Sequence, residues 1–238
     1  MGKIKPYSIT GSEVQPSEVI PPATTNTQLA ATEMPGLGSV SGEIEADDIV
    51  IPRVNLVQNV GELADLFPSG AVTYNKEVEL SDGTAPIEVT VLRARKQFVE
   101  ALDYDSGERP QVFDSLEEVK AVGGTVEWVG NQKPTYNPIL HVHIVFKAPA
   151  GLDYAFPLEY KGVPYGMAVW TLRGMAFKRA GRNILTASKF SLRDGLLHGK
   201  WELTTKREKV GRNSIVVPVL RNVGRNTPDF VEFLRTLG

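Results

Sequence analysis

The chain has 238 residues, of which 42% are hydrophobic and 23% are charged, and its formal net charge at pH 7 is -2. This composition is typical of a globular protein with enough apolar material for one core. The absence of cysteine excludes disulfides, thiol catalysis and cysteine-based zinc sites.

No apolar run suggests a membrane or secretory protein. SIVVPVL, one of the longest, is far shorter than the roughly 20 residues that a transmembrane helix needs. The amino-terminal residues lack the apolar region of a signal peptide. We therefore predict a cytoplasmic protein with no membrane partner.

The charge is distributed unevenly along the chain. Residues 1–50 carry a net charge of -5 and residues 51–160 carry -7, whereas residues 161–238 carry +10. Lys and Arg side chains that neutralise phosphates gain free energy by releasing counterions. A basic third of this kind is therefore typical of a polyanion-binding protein. The alternative is that the basic third pairs with the chain's own acidic half.

Residues 1–46 are rich in Pro, Ser, Thr, Gly and Glu and show no apolar periodicity. Because such a segment cannot bury enough apolar surface to fold, we predict a disordered acidic tail at 1–46. A single domain is predicted over 47–238. The tail is either a solvated leader or an acidic mimic that occupies a basic surface until nucleic acid displaces it.

The folded region is predicted to begin with extended structure. DDIVIPRVNLVQNV is rich in β-branched residues, and Pro52 within it indicates an edge strand or a bend. Period-two alternation in IEVTVLRARKQFVEAL places Ile87, Val89 and Val91 on one face of a second strand.

The middle of the chain predicts one helix and one hairpin. DSLEEVKAVGG fits a short helix capped by Asp114 or Ser115. The stretch ILHVHIVFKAPAGLDYAFPLEY predicts two paired strands closed by APAG.

The basic third predicts two helices and another hairpin. In PYGMAVWTLRGMAFKRAGRN, residues spaced three and four apart predict a helix over 167–182 that ends at Gly181. KWELTTKREKVGRNSIVVPVL predicts two strands joined by a turn at Gly211. TPDFVEFLRTLG predicts a final helix capped by Thr227.

Five or more short strands with a few helices between them predict a mainly β protein of the α+β class. Among small barrels, the five-stranded OB barrel commonly carries single-stranded nucleic acid. We therefore predict an OB-like five-stranded barrel with helical insertions.

Two segments supply the cations of a predicted electrostatic groove. No acidic residue lies between Glu159 and Asp194 to compensate the predicted helix, and the predicted hairpin concentrates cations near its turn. OB barrels use such inter-strand loops to hold a ligand. The groove is predicted to consist of Arg173, Lys178, Arg179, Arg182, Lys206, Arg207, Lys209 and Arg212. Ordinary solvated charge is the alternative.

Sequence-tolerant binding of a single strand also needs rings on which bases stack, each contributing roughly 1–3 kcal/mol. The predicted stacking residues are Tyr154, Tyr160 and Tyr165. Their polar hydroxyls favour a position at the surface. Phe156 and Trp170 are predicted to be core residues, as is Trp128 beside Val129.

The sequence contains no firm catalytic site. His141 and His143 share one face of a predicted strand, but no carboxylate has a spacing that would complete a metal site. Phosphate-binding loops, dinucleotide fingerprints and hydrolase or metalloprotease motifs are absent. We predict a protein with neither enzymatic activity nor a cofactor. The alternative is a metal-dependent nuclease that uses Asp153, Glu159 and Lys161.

Three stretches carry a resemblance to a known group of proteins. They are DDIVIPRVNLVQ, AVWTLRGMAFKRAGRN leading to SKFSL, and KWELTTKREKVGRNSIVVPVLRN. In general pattern over 47–225, the chain resembles the single-stranded DNA-binding proteins of bacteriophages. The resemblance implies an OB-type barrel that coats single-stranded DNA in phage replication or recombination, in the host cytoplasm and with replication or recombination proteins as further partners. Many such proteins end in an acidic tail, whereas this chain is acidic at its front.

Other interpretations of the same residues stay open. The basic third is also compatible with a virion or assembly protein that docks on an acidic partner. Stacking on single strands does not depend on the sugar unless the 2′-hydroxyl is contacted, so RNA is an alternative ligand. A homo-oligomer is a further open alternative.

Overall fold

A computed structural model describes residues 51–103, 106–152, 156 and 158–237. The predicted tail at 1–46 and the predicted stacking residue Tyr154 lie outside these residues.

Antiparallel strands dominate the described part of the chain. A small sheet has the order β1–β2–β3, with β1 at Val54–Leu56, β2 at Val72–Tyr74 and β3 at Val78–Ser81. The strands of a second, larger sheet are β4 at Ile87–Glu100, β5 at Val112–Phe113, β6 at Tyr136–Lys147, β7 at Leu158–Tyr160, β8 at Val163–Arg173, β9 at Gly199–Val210 and β10 at Asn213–Arg225. Their order is β10–β9–β4–β6–β8–β7, and β5 pairs with β4 beside this path.

The helices are short and lie between or after the strands. They are α1 at Leu116–Ala121, α2 at Gly174–Ala176, α3 at Arg182–Phe190 and α4 at Pro228–Arg235. A π-helical turn at Phe177–Gly181 joins α2 to α3, so that 174–190 is one continuous helical segment, called the 174–190 helix below. No helix among the described residues is long and apolar enough to cross a membrane.

The predicted class is confirmed: the fold is mainly β, with antiparallel sheets and a few helices. The predicted closed barrel is not what the strand pairing shows, because the path from β10 to β7 is open among the described residues. The segment 52–59 contacts strands near both ends of this path. Arg53 forms a parallel bridge with Val169 of β8, and the Gln58 side chain exchanges hydrogen bonds of 3.1 and 3.0 Å with the backbone of Val216 in β10.

Several local predictions are confirmed. Ile87, Val89 and Val91 are buried on one face of β4, as their alternation indicates. The Ser115 side chain caps α1 by accepting a hydrogen bond of 3.2 Å from the backbone N–H of Glu118. Thr227 caps α4 in the same way, and β9 and β10 form the predicted hairpin.

The predicted helix over 167–182 is wrong in its first half, because residues 163–173 form strand β8. Gly166, Ala168, Trp170 and Leu172 are buried in alternation, and residues 165–173 pair with β6. Alternating burial against a neighbouring strand satisfies the backbone and buries Trp170, which outweighs the helical spacing of the apolar residues. The helix starts at Gly174, where φ is +50°, and continues through Gly181 instead of ending there.

Two further predictions are corrected by the strand pairing and the burial. Strand β6, which precedes APAG, pairs with β8, and the short β7 also pairs with β8. Strands β6 and β7 therefore do not form the predicted hairpin. Trp128, a predicted core residue, is instead 62% exposed in the loop before β6. Val126 packs in the small cluster beneath α1 in its place. Phe156 and Trp170 are buried as predicted.

The main core lies against one face of the larger sheet. The small sheet and the 174–190 helix cover that face, with Val72, Phe177 and Ile184 packing on its apolar residues. Helix α4 covers part of the opposite face, where Phe230 and Leu234 pack on Val145 of β6.

The β9–β10 hairpin is anchored to the small sheet through Thr205. Its backbone N–H donates to the Gly83 carbonyl oxygen at 2.9 Å, and its hydroxyl donates to the Gly70 carbonyl oxygen at 2.7 Å. Gly83 has a φ of +91°, and a Cβ there would overlap both the Gly70 carbonyl and the Thr205 hydroxyl. Only glycine fits this junction.

We therefore expect Gly83→Ala to lower the free energy of unfolding by about 3–5 kcal/mol, combining backbone strain with overpacking. Gly61→Ala is the matched control, because Gly61 has a φ of +108° and a Cβ at that residue would have no other atom within 4 Å. It should lower the free energy of unfolding only by its backbone strain, about 1–3 kcal/mol. Urea unfolding of both variants measures the difference, and equal losses would show that the close approach at Gly83 is unimportant.

Candidate nucleic-acid interface

The tip of the β9–β10 hairpin projects beyond the larger sheet. The last residue of β9 that pairs with β4 is Leu203, opposite Ile87. Residues 206–213 follow the Thr205 anchor, and we call them the arm. Four of the predicted groove residues lie on the arm and are exposed: Lys206, Arg207, Lys209 and Arg212.

Glu208, the one carboxylate in the arm, joins it to the 174–190 helix. It accepts a hydrogen bond of 3.0 Å from Nε of Arg179 and a second one from Nη2 of the same residue. Lys206 Nζ lies 3.7 Å from Oε2 of the same carboxylate. These contacts, chiefly the hydrogen bonds from Arg179, lower the pKa of Glu208, and they raise the pKa of Arg179. Arg179 therefore positions the helix against the arm and contributes little uncompensated charge.

The helix brings two further cations beside the arm. Its buried residues Phe177, Ala180 and Ile184 hold it on the core, and Asn183 donates a hydrogen bond of 3.2 Å to the backbone of β10. Lys178 and Arg182 are exposed and form no ion pair with a described carboxylate. The arm–helix surface is defined by Lys178, Arg182, Lys206, Arg207, Lys209 and Arg212.

Arg173, the remaining cation of the predicted groove, lies elsewhere. It ends β8 opposite Ile139, while its neighbour Leu172 faces the core. Since successive residues of a strand point to opposite faces, the Arg173 side chain leaves the sheet on the face away from the 174–190 helix. The structure thus divides the predicted groove between two faces of the larger sheet.

The predicted stacking residues that the structure describes, Tyr160 and Tyr165, are partly buried against α4. The ring of Tyr160 lies 5.0 Å from that of Phe230 and 5.1 Å from that of Phe233, between centroids, and Tyr165 lies 5.2 Å from Phe230. Helix α4 therefore occupies ring faces that a base would need. Two other aromatic residues have exposed rings, Trp128 and the 73% exposed Phe190 at the end of α3.

A second group of basic side chains, which the sequence reasoning did not identify as a site, shares the outward face of β4, β6 and β8. Register places Arg93 opposite His143, and Arg95 opposite His141. His141 is in turn opposite Thr171 in β8. Arg53 joins this face through its bridge to Val169. The sheet-face cluster is defined by Arg53, Arg93, Arg95, His141, His143 and Arg173.

The cluster is electrostatically positive with little compensation. Burial, followed by the charges of Arg173, Arg53 and Arg95, lowers the pKa of His141 and so favours its neutral imidazole. Burial, Arg93 and His141 lower the pKa of His143 in the same way. Asp114 offsets Arg95 through hydrogen bonds of 2.6 and 3.2 Å.

The alternations LRAR and HVH contain the signal for this cluster, because each places two basic or polar residues on one strand face. The sequence does not show that these strands are neighbours or in which register they pair. Only that pairing brings the two patterns together.

Of the three residues of the nuclease alternative, the structure describes Glu159 and Lys161. Asp153 lies outside the described residues. Lys161 forms an ion pair of 3.1 Å with Asp229 of α4. No group of three or more His, Asp or Glu side chains that could hold a metal ion occurs within the described ranges.

Comparisons with known proteins return nothing: no family model, no curated protein and no solved structure matches this chain.

The ion pair between Arg179 and Glu208 predicts a pH dependence of stability. The pKa of Glu208 is lower in the folded protein than in the unfolded chain, so the pair stabilises the fold above the unfolded value of about 4.3. That stabilisation is lost as the pH falls through the lower, folded-state pKa. We expect Glu208→Gln to be less stable than the wild type at pH 7 and equally stable well below pH 4.

Urea unfolding from pH 7 to pH 3 measures this difference, with Glu127→Gln as the control at an exposed carboxylate outside any described ion pair. A gap between wild type and Glu208→Gln that stays constant with pH would contradict the prediction.

Proposed function

We propose that the protein is a non-enzymatic, sequence-tolerant single-stranded DNA-binding protein that uses the arm–helix surface. The observation that carries the proposal is the local charge balance. The arm–helix surface carries six exposed cations. Glu208, the one carboxylate of the arm, already contacts Arg179 and Lys206, and Asp82 shares a shallow cleft with Lys206 and Arg207 without forming an ion pair to either. The basic third of the chain is therefore not neutralised at this surface by its neighbours in the described structure.

A polyanion is the ligand that this surface suits best. Every phosphate neutralised by a Lys or Arg releases condensed counterions, which gives affinity without base-specific contacts. The arm carries its cations on a two-stranded projection, a device that can lie along a flexible single strand. RNA stays an alternative ligand.

Exposed rings would add stacking to this electrostatic attraction. Trp128 and Phe190 present accessible rings, whereas Tyr160 and Tyr165 pack against α4. We therefore assign stacking in this proposal to Phe190, which ends the helix that carries Lys178 and Arg182. An accessible ring can contribute roughly 1–3 kcal/mol for each stacked base.

An OB-like architecture and a role in phage DNA replication or recombination are parts of the same proposal. The resemblance to phage single-stranded DNA-binding proteins supports both. The contacts of 52–59 with β8 and β10 also support the architecture, because they link strands near the two ends of an otherwise open sheet.

A double charge reversal on the arm tests the proposal. We expect Lys206→Glu with Lys209→Glu to weaken binding of labelled oligo(dT) about tenfold or more at low salt. The effect should be similar for other sequences, and the salt dependence should become shallower by about 1–2 in slope. Fluorescence anisotropy at several salt concentrations, with duplex DNA as the competitor, gives these quantities.

Lys120→Glu with Lys147→Glu is the matched control, since both lysines are exposed and lie in the acidic half of the chain. It makes the same change in net charge and should have a much smaller effect. Equal losses in the two double variants would remove the arm from the proposal. Failure of the wild type to bind at low salt would instead favour docking of the basic third on an acidic protein partner.

A further inference from the structure

A polar cleft opens on the sheet face opposite the 174–190 helix. It has a volume of about 270 Å³ and is lined by Arg53, Val54, Asn55, Val169, Thr171 and Arg173. This volume is just below the range of about 300–1,000 Å³ that is typical of drug-sized ligands. The cleft therefore suits a small polar group.

The polar side chains of the cleft are hydrogen-bond donors. Arg53 and Arg173 supply two guanidinium groups, Thr171 a hydroxyl and Asn55 an amide. Neither arginine forms an ion pair with a carboxylate in 51–103, 106–152, 156 or 158–237. A site with a surplus of donors and two formal positive charges is complementary to an anion rich in oxygen atoms.

Asn55 gives an independent indication of a missing acceptor. Its Nδ2 atom is shielded from solvent and has no hydrogen-bond partner among the described residues. An unsatisfied buried donor is destabilising, and such a group calls for a specific explanation. Asn55 lines the cleft, so a rotation of its amide toward the cleft would let an oxygen atom of a ligand supply the acceptor.

The neighbouring residues hold the donors in place. Thr171 Oγ1 lies 3.1 Å from Nδ1 of His141, which orients the hydroxyl at the edge of the cleft. The backbone N–H of Val169 donates to the Pro52 carbonyl oxygen at 2.8 Å, which fixes Arg53 beside β8. Burial and, after it, the charges of Arg173 and Arg53 lower the pKa of His141 at the edge of the cleft.

We infer that this cleft is a binding site for a phosphomonoester, the phosphate of a mononucleotide or of a strand end. A phosphomonoester has three non-bridging oxygens and a charge of about -1.5 to -2 at pH 7, which matches two guanidinium groups and two neutral donors. A phosphodiester carries only one charge and a carboxylate has only two oxygens. Either group would therefore leave some donors of the cleft without an acceptor. The site is separate from the arm–helix surface and does not rest on the function proposed for it.

Calorimetric titration of the full chain with thymidine 5′-monophosphate, inorganic phosphate and thymidine tests the inference. We expect thymidine 5′-monophosphate and inorganic phosphate to bind and thymidine not to bind. Arg53→Gln with Arg173→Gln should weaken phosphate binding by at least about tenfold. Lys120→Gln with Lys147→Gln, at exposed lysines away from the cleft, should leave it unchanged. Absence of saturable phosphate binding, or equal binding by the Arg53 and Arg173 variant, would overturn the inference.

Asn55→Val separates a binding role from a structural one. Removing the unpaired donor should raise the melting temperature and at the same time weaken phosphate binding several-fold. A residue with only a structural role would not change stability and binding in opposite directions. A variant that loses stability, or binds phosphate as the wild type does, would contradict the role given to Asn55.

Two oligonucleotides distinguish the sources of the phosphate. Preference for 5′-phosphorylated over 5′-hydroxyl oligo(dT) identifies a strand end, whereas equal affinity together with binding of the mononucleotide identifies a free nucleotide. A different result would overturn the assignment: the wild type does not bind the mononucleotide, and the Arg53 and Arg173 variant loses binding of 5′-hydroxyl oligo(dT). The cleft would then bind an internal phosphodiester. If only the DNA binding proposed for the arm–helix surface is wrong, mononucleotide binding at the cleft should remain intact.

Discussion

The pairing of β8 with β6 is the constraint on which the arrangement of charge in this protein depends. Ala168, Trp170 and Leu172 enter the core, so the residues between them must leave the sheet on the opposite face. That alternation carries Arg173 to the outward face, and the turn at Gly174 then returns the chain to the core side. The predicted helix over 167–182 would have kept Arg173 together with Lys178 and Arg182.

The two basic regions are consequently stabilised in different ways. Around the arm, Glu208 and Arg179 attach a helix to a hairpin, and the remaining cations project into solvent. On the sheet face, strand register sets the positions of arginine and histidine side chains, and α4 covers only the adjoining rows. The first arrangement favours a long, flexible polyanion. The second encloses a small volume with fixed donors, which favours a single anionic group.

A protein with both sites could hold a nucleic-acid strand on one face and a terminal or free phosphate on the other. The two sites can be occupied together without either one depending on the other. Bound phosphate would also act on the neutral histidines, since it would offset the positive field that lowers the pKa of His141.

Local sequence patterns were sufficient to predict the mainly β class, strand β4, the caps at Ser115 and Thr227, and the basic hairpin, because alternation, capping and turn chemistry are local properties. They also located all six cations of the arm–helix surface. Long-range packing made residues 163–173 a strand and placed Tyr160 and Tyr165 under α4. Strand order and register join residues far apart in sequence, such as Arg53 and Val169, and no local pattern encodes them. The phosphate cleft depends on that pairing, so it exists only in the folded chain.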